Sequence, residues 1–183
     1  METLHSETVV EQRAPQPQRP SVWNELLFLL MKIGLIILVF IMLFTFLFGI
    51  IRYQEYSMTP AIKDGDLVIY YRSTQNGYFS QDAIVLEYEG QTQVRRVVAT
   101  AGDTVDINES GLVVNGAPQQ ELEIYQKTER YQEGIDFPVT IPEGQVFVLG
   151  DSREGATDSR IYGPVEISDT KGKVMTVIRR RDI

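Results

Sequence analysis

Nineteen consecutive residues without a charge, Ile33 to Ile51, set the first limit on how this chain can fold. A further apolar stretch, Leu26 to Met31, precedes them across the single charge of Lys32. About 20 apolar residues are needed to cross the hydrocarbon core of a bilayer, so the run reads as one spanning helix. Lys32 sits near one end, where its long stem carries the ammonium out to the headgroups. Trp23 and Tyr53 stand at the two ends as interfacial anchors. No face of the segment is polar, which argues against a buried soluble helix. A cleavable leader has a shorter apolar core followed by small residues; here Arg52-Tyr53-Gln54-Glu55 follows instead.

The anchor, 23–52, divides the chain. Residues 1–22 are polar and proline-containing (Arg13 to Pro20 reads RAPQPQRP) and are expected to be a disordered tail. Arg13, Arg19 and Lys32 outnumber Arg52 and Lys63 across the anchor, a positive-inside bias toward a cytoplasmic tail and an extracytoplasmic domain. The remainder, 53–183, is long enough for one compact core. The net charge of −8 argues against nucleic acid as a partner, because phosphate binding needs a basic face. There is no cysteine, hence no disulfide, thiolate nucleophile or cysteine-ligated metal. The single histidine, His5, lies in the tail, so a Ser-His-Asp triad within the domain is excluded.

Beyond the anchor the pattern is that of a β protein. Short β-branched or alternating runs recur at Leu67–Tyr71, Ala83–Tyr88, Gln93–Ala99, Thr104–Ile107, Leu112–Val114, Val146–Leu149 and Lys173–Ile178. Turn signals such as Asp64-Gly65-Asp66, Asn76-Gly77, Glu89-Gly90 and Asn115-Gly116 separate them. The expected architecture is a mainly β, sandwich-like or barrel-like domain. Pro118 to Asp136 is polar and acidic without strand periodicity, and reads as an inserted loop with one helical turn.

Three blocks could carry chemistry. Ser57-Met58-Thr59-Pro60, with Gly65-Asp66 behind it, lies just past the anchor, where a substrate leaving the membrane would present itself. Val94-Arg95-Arg96-Val97-Val98 follows, with Gly102-Asp103 after it. Gly150-Asp151-Ser152-Arg153 through Asp158-Ser159-Arg160 is the third. In this order and spacing the blocks resemble those of the type I signal peptidases, membrane-bound serine proteases that use a Ser/Lys pair.

The resemblance implies an antiparallel β domain on one N-terminal membrane helix, and removal of signal peptides from exported preproteins after small −1 and −3 residues. It implies no cofactor and no metal. Ser57 takes the nucleophile's place, which needs a base to remove its proton. Met58, Pro60 and Val94 fall at substrate-binding positions. Arg96, Asp151, Arg153, Asp158, Ser159 and Arg160 brace the site, with Arg96 as an ion-pair partner of the third block. Four positions depart from the family pattern. Arg95 stands where the family has its lysine base, Glu55 replaces a serine or glycine, Ser152 replaces asparagine and Ala156 replaces a lysine-orienting serine. A lysine becomes a base only when burial leaves a neutral amine, whereas a guanidinium stays protonated and has no acceptor. Two functions therefore stay open. One is an active peptidase with Ser57 as nucleophile. The other is an impaired relative that binds secreted or pilus proteins during assembly.

Overall fold

The computed structural model describes residues 22–72, 77–121 and 124–179, so the tail and Asn76 of one expected turn lie outside the described residues. The chain divides into two units, 1–41 and 42–183. Helix α1 (Val22–Leu47) carries the apolar run and is, among the described residues, the one helix long and apolar enough to cross a membrane. None of its residues is buried.

The anchor is shorter than expected at its far end. The helix stops at Leu47, and Phe48–Arg52 forms strand β1. All five of its residues pair antiparallel with β2 (Leu67–Tyr71). Gly49 makes this possible, because a Cβ there would overlap the Tyr70 ring. The Arg72 amide closes the junction on the Leu47 carbonyl (2.8 Å), and its Nε donates to the Phe48 carbonyl (3.0 Å). An unbroken apolar run has the same hydropathy in either conformation, so nothing in it marks the change from helix to strand.

Strands β3 (Ala83–Tyr88), β4 (Gln91–Thr100), β5 (Thr104–Asn108), β6 (Gly111–Val114), β7 (Ala117–Pro118), β8 (Val139–Thr140) and β9 (Gln145–Leu149) follow. After them come a short helix α2 (Ser159–Tyr162), β10 (Val165–Glu166), a 3₁₀ turn at Ile167–Asp169 and β11 (Thr170–Ile178). All seven expected strands form. The two-residue β7, β8 and β10 are too short to show a period of two. One sheet has the order β1-β2-β11-β3-β4-β9-β10 and the other β7-β6-β5-β8, with every pairing antiparallel. A bulge between Thr170 and Gly172 needs glycine: its φ is +144°, and a Cβ would run into the Tyr71 carbonyl.

Alternation along the strands separates the core into layers. Val85 and Val94 face Tyr53, Met58, Ile62, Val68 and Tyr70, whereas Ile84, Leu86, Val97, Val146 and Val148 pack on the other side with Tyr78. A third cluster, including Val105, Ile107, Leu112, Ile141 and Phe147, joins the smaller sheet to the end of β4.

Between 118 and 136 no helical turn forms among the described residues. Polar groups of this stretch bond across to 150–160 instead. The Ile135 amide donates to the Arg160 carbonyl (2.9 Å), and the Tyr131 hydroxyl donates to the carbonyls of Ala156 (3.0 Å) and Arg153 (3.2 Å). Gln126 Oε1 accepts from the Glu154 amide (3.2 Å). The expected loop is thus a strap over the third block.

Candidate active site

Ser57 opens a tight turn held from below. The Thr59 amide donates to the Tyr56 carbonyl (3.0 Å) and the Ile62 amide to the Met58 carbonyl (2.9 Å). Met58 and Ile62 are buried against Val94, so the turn is nailed to β4 by apolar contact. Pro60 remains exposed. From the side, the Ser152 amide donates to the Ser57 carbonyl (2.9 Å). Gly150 is pressed so close that a Cβ there would strike the Ser57 carbonyl and the Ala156 methyl. The first and third blocks therefore meet at Ser57. The half-buried Ser57 hydroxyl makes no hydrogen bond among the described residues.

Arg95 is 1% exposed, and two of its three guanidinium nitrogens are bonded to protein. Its Nη1 lies 2.8 Å from Glu55 Oε2 and 2.7 Å from the Val94 carbonyl, and its Nε donates to the Thr157 carbonyl (2.9 Å). The second block thus reaches the first through Glu55, two residues ahead of Ser57, and the third through Thr157. Tyr53 completes the circuit. Its hydroxyl accepts from the Met58 amide (3.1 Å) and donates to Glu55 Oε2 (3.4 Å). Burial, and then the Glu55 carboxylate, push the Tyr53 phenol well above its ordinary value, so it stays a neutral donor. Nothing at position 95 can accept a proton.

Arg96 alternates with Arg95 along β4 and leaves from the other face. It pairs bidentately with Asp151 (Nε–Oδ1 2.8 Å, Nη2–Oδ2 2.6 Å). Their pair lines a cleft of about 620 Å³ together with Pro60, Lys63 and Arg153. The Lys63 side chain is exposed there. Arg153 donates to the Gly150 carbonyl (2.9 Å) and pairs with Glu121; burial pulls its guanidinium below the ordinary value, and Glu121 opposes this. Asp158, wholly buried, caps α2 through the Arg160 amide (3.1 Å), accepts from the Gly150 amide (3.0 Å) and pairs with Arg160 Nη2 (2.8 Å). Arg160 also donates to the Arg153 carbonyl (2.6 Å) and stacks over Tyr131, 4.4 Å from the ring centroid. Ser159 Oγ accepts from the Val148 amide (3.0 Å), tying the block to β9. Among the described residues no group of three His, Cys, Asp or Glu is placed to hold a metal ion.

Sequence reasoning treated Glu55 as a lost hydroxyl and missed it as the partner of Arg95. Opposite charges at two departures from one family pattern were the available signal. Tyr53, expected as an interfacial anchor, is instead buried in the core against Met58 and Val94, and Gln126, Tyr131 and the Thr157 carbonyl were missed because no local pattern marks them.

The model of the family described as signal peptidase, peptidase S26, matches residues 26–178. Signal peptidase I of Bacillus licheniformis is 32% identical over 125 residues, covering 63% of this chain and 67% of that protein. Signal peptidase IB of Staphylococcus aureus (strain Mu50) is 31% identical over 135 residues, 64% of this chain and 71% of that one. The thylakoidal processing peptidase 1 of Arabidopsis thaliana is 30% identical over 132 residues; the chain spans only 38% of its length. A solved signal peptidase I from Enterococcus faecalis V583 aligns at a TM-score of 0.45 with 28% identity, over 54% of this chain and 97% of that one. An N-terminal helix apolar enough to cross a membrane leads into an antiparallel β domain, and the match to a family of peptidases runs over most of the chain. The chain belongs to the signal peptidase family, peptidase S26.

Proposed function

We propose that this chain removes signal peptides from exported preproteins at the membrane surface, as a serine endopeptidase cutting after small −1 and −3 residues with Ser57 as nucleophile. The observation that carries this reading is the Ser57 turn. It is fixed from below by Met58 and from the side by the Ser152 amide, and its hydroxyl has no hydrogen-bond partner among the described residues. Acyl transfer needs a nucleophile held this way, with backbone amides at hand for the oxyanion. Met58 and Val94, both wholly buried, support the site from beneath, and Pro60 sets the turn. Arg96, Asp151, Arg153, Asp158, Ser159 and Arg160 hold it in place. β9 pairs with β4 only from Arg96 onward, and Gln91 and Thr92 stay exposed at the start of β4, where an added substrate strand would enter. The tail lies in the cytoplasm and the β domain outside.

A second reading, binding of secreted or pilus proteins without rapid cleavage, is favoured by one observation. Arg95 occupies the base position with its Nε and Nη1 bonded to Glu55, Val94 and Thr157. The experiment is cleavage of a preprotein by the full chain in detergent, with the new N-terminus read by mass spectrometry. Product at the junction after small residues, lost in Ser57→Ala, supports the first reading. Signal peptide crosslinked to the chain without product supports the second.

One face of the β domain fits a lipid surface. Ile50 (58% exposed), Leu67 (41%) and Ile178 (53%) share a face of β1, β2 and β11, with Ile69 between them. Such a patch costs free energy in water. Because the chain has no cysteine, single labels are clean. A polarity-sensitive dye on Ile178→Cys in liposomes is expected to shift to the blue and be quenched by quencher-bearing lipids. A dye on Glu109→Cys in the smaller sheet is expected to do neither; equal behaviour at the two sites would remove the lipid-facing assignment.

A further inference from the structure

We infer that Glu55 would hold an amine at position 95 in its charged form, so that two departures, at 55 and at 95, each keep position 95 from serving as a base. The inference rests on the reading of Ser57 as a nucleophile, but it concerns a pair that can be measured without cleavage. Glu55 Oε2 is the carboxylate oxygen in contact with Arg95, at 2.8 Å. Tyr53 holds the same oxygen from the other side, and Tyr53 is itself fixed by the Met58 amide. Glu55 thus has a second contact, through Tyr53 to the Ser57 turn, that does not depend on position 95. An amine placed there would meet two opposed effects. Burial disfavours its charged form, whereas an anion within about 4–6 Å favours it, typically by about 10–10³-fold in proton affinity. At hydrogen-bond distance the carboxylate wins, and the amine stays an ammonium with no lone pair for Ser57.

The other ionisable groups facing this place do not change the sign. Asp158 acts on the nearby Tyr162 phenol together with Arg95, but its carboxylate is already bonded to Arg160. Tyr53 and Tyr162 are pushed up by burial and remain neutral, and the Tyr131 phenol is raised by burial as well. Glu55 is thus a positioning residue. It acts through position 95 and through Tyr53, and touches no reacting atom in the proposed reaction. Restoring lysine alone should leave the site nearly silent.

The test compares the full chain in four forms: unmodified, Arg95→Lys, Glu55→Gln with Arg95→Lys, and Glu55→Ser with Arg95→Lys. The two double variants guard against one that fails to fold, and thermal melting identifies folded forms. The first readout is the titration of the new lysine by NMR of isotope-labelled lysine, assigned by its absence from the unmodified chain. In Arg95→Lys its proton affinity should exceed that of an ordinary lysine. In the folded double variants it should fall by about 10–10³-fold. Equal titration with and without Glu55 overturns the inference.

The second readout is preprotein cleavage. Arg95→Lys should reach less than about a tenth of the cleavage rate of the double variants. A double variant should gain about 10²–10⁴-fold, rising with pH as the amine loses its proton. A full gain from Arg95→Lys alone would also overturn the inference. If the lysine titrates as expected and no form cleaves, the control by Glu55 stands and the peptidase reading falls.

Discussion

Arg160→Met is expected to destabilise the β domain by about 3–5 kcal/mol, the range for removing one partner of a buried ion pair. Asp158 is wholly buried, and the substitution would strip its carboxylate of the Nε (2.9 Å) and Nη2 (2.8 Å) donors. The amides of Gly150 and residue 160 would remain, too little for a charge out of water. The Glu129 carbonyl would lose its donor, the Arg153 carbonyl one of two, and Tyr131 its cation. Surface pairs of this chain behave differently. Lys127–Glu129, at 3.9 Å and mostly exposed, should contribute at most about 1 kcal/mol. Urea midpoints of the detergent-solubilised chain would measure both. Asp158→Asn combined with Arg160→Met should recover part of the loss, because no unpaired charge is left. A loss below about 1 kcal/mol for Arg160→Met would mean that the pair does not brace the third block.

The parts legible in the sequence and the parts that were not differ in the range of the interactions behind them. β2 and β3 run over the residues expected, since each is a β-branched run bounded by turn residues, a local signal. β1 escaped notice because its strand character comes from pairing with β2 and from the gap that Gly49 leaves for Tyr70. The Pro118–Asp136 stretch was read by composition, and its form is dictated by acceptors on 150–160 that no local pattern reveals. At the site, motif order placed Ser57, Arg95 and the third block on one list. How they touch depends on Glu55 and Arg95, forty positions apart and joined only once β4 packs beneath the Ser57 turn. The sequence showed that a base was missing. Only the fold shows what fills its place.

Ser57→Ala, made in the folded Glu55→Ser, Arg95→Lys chain, should remove preprotein cleavage by about 10³-fold or more, since covalent catalysis has no substitute for the attacking oxygen. Melting should hardly change, because the half-buried Ser57 hydroxyl has no partner among the described residues and its carbonyl bond to the Ser152 amide survives in alanine. Ala156→Ser separates a working lysine from an arginine at the same site. Ala156 is buried beside Gly150 and Ser57, so a hydroxyl added there must find a partner or cost about 1–3 kcal/mol. With Arg95 in place the guanidinium is already bonded to Glu55, Val94 and Thr157, and Ala156→Ser should lower stability without adding cleavage. With a neutral lysine the same hydroxyl has an amine to orient, and cleavage should rise further. The sign of the Ala156→Ser effect on cleavage should therefore depend on position 95. Cleavage that survives Ser57→Ala would remove Ser57 from the chemistry. A rise on Ala156→Ser with Arg95 still present would show that the hydroxyl acts on something other than the base.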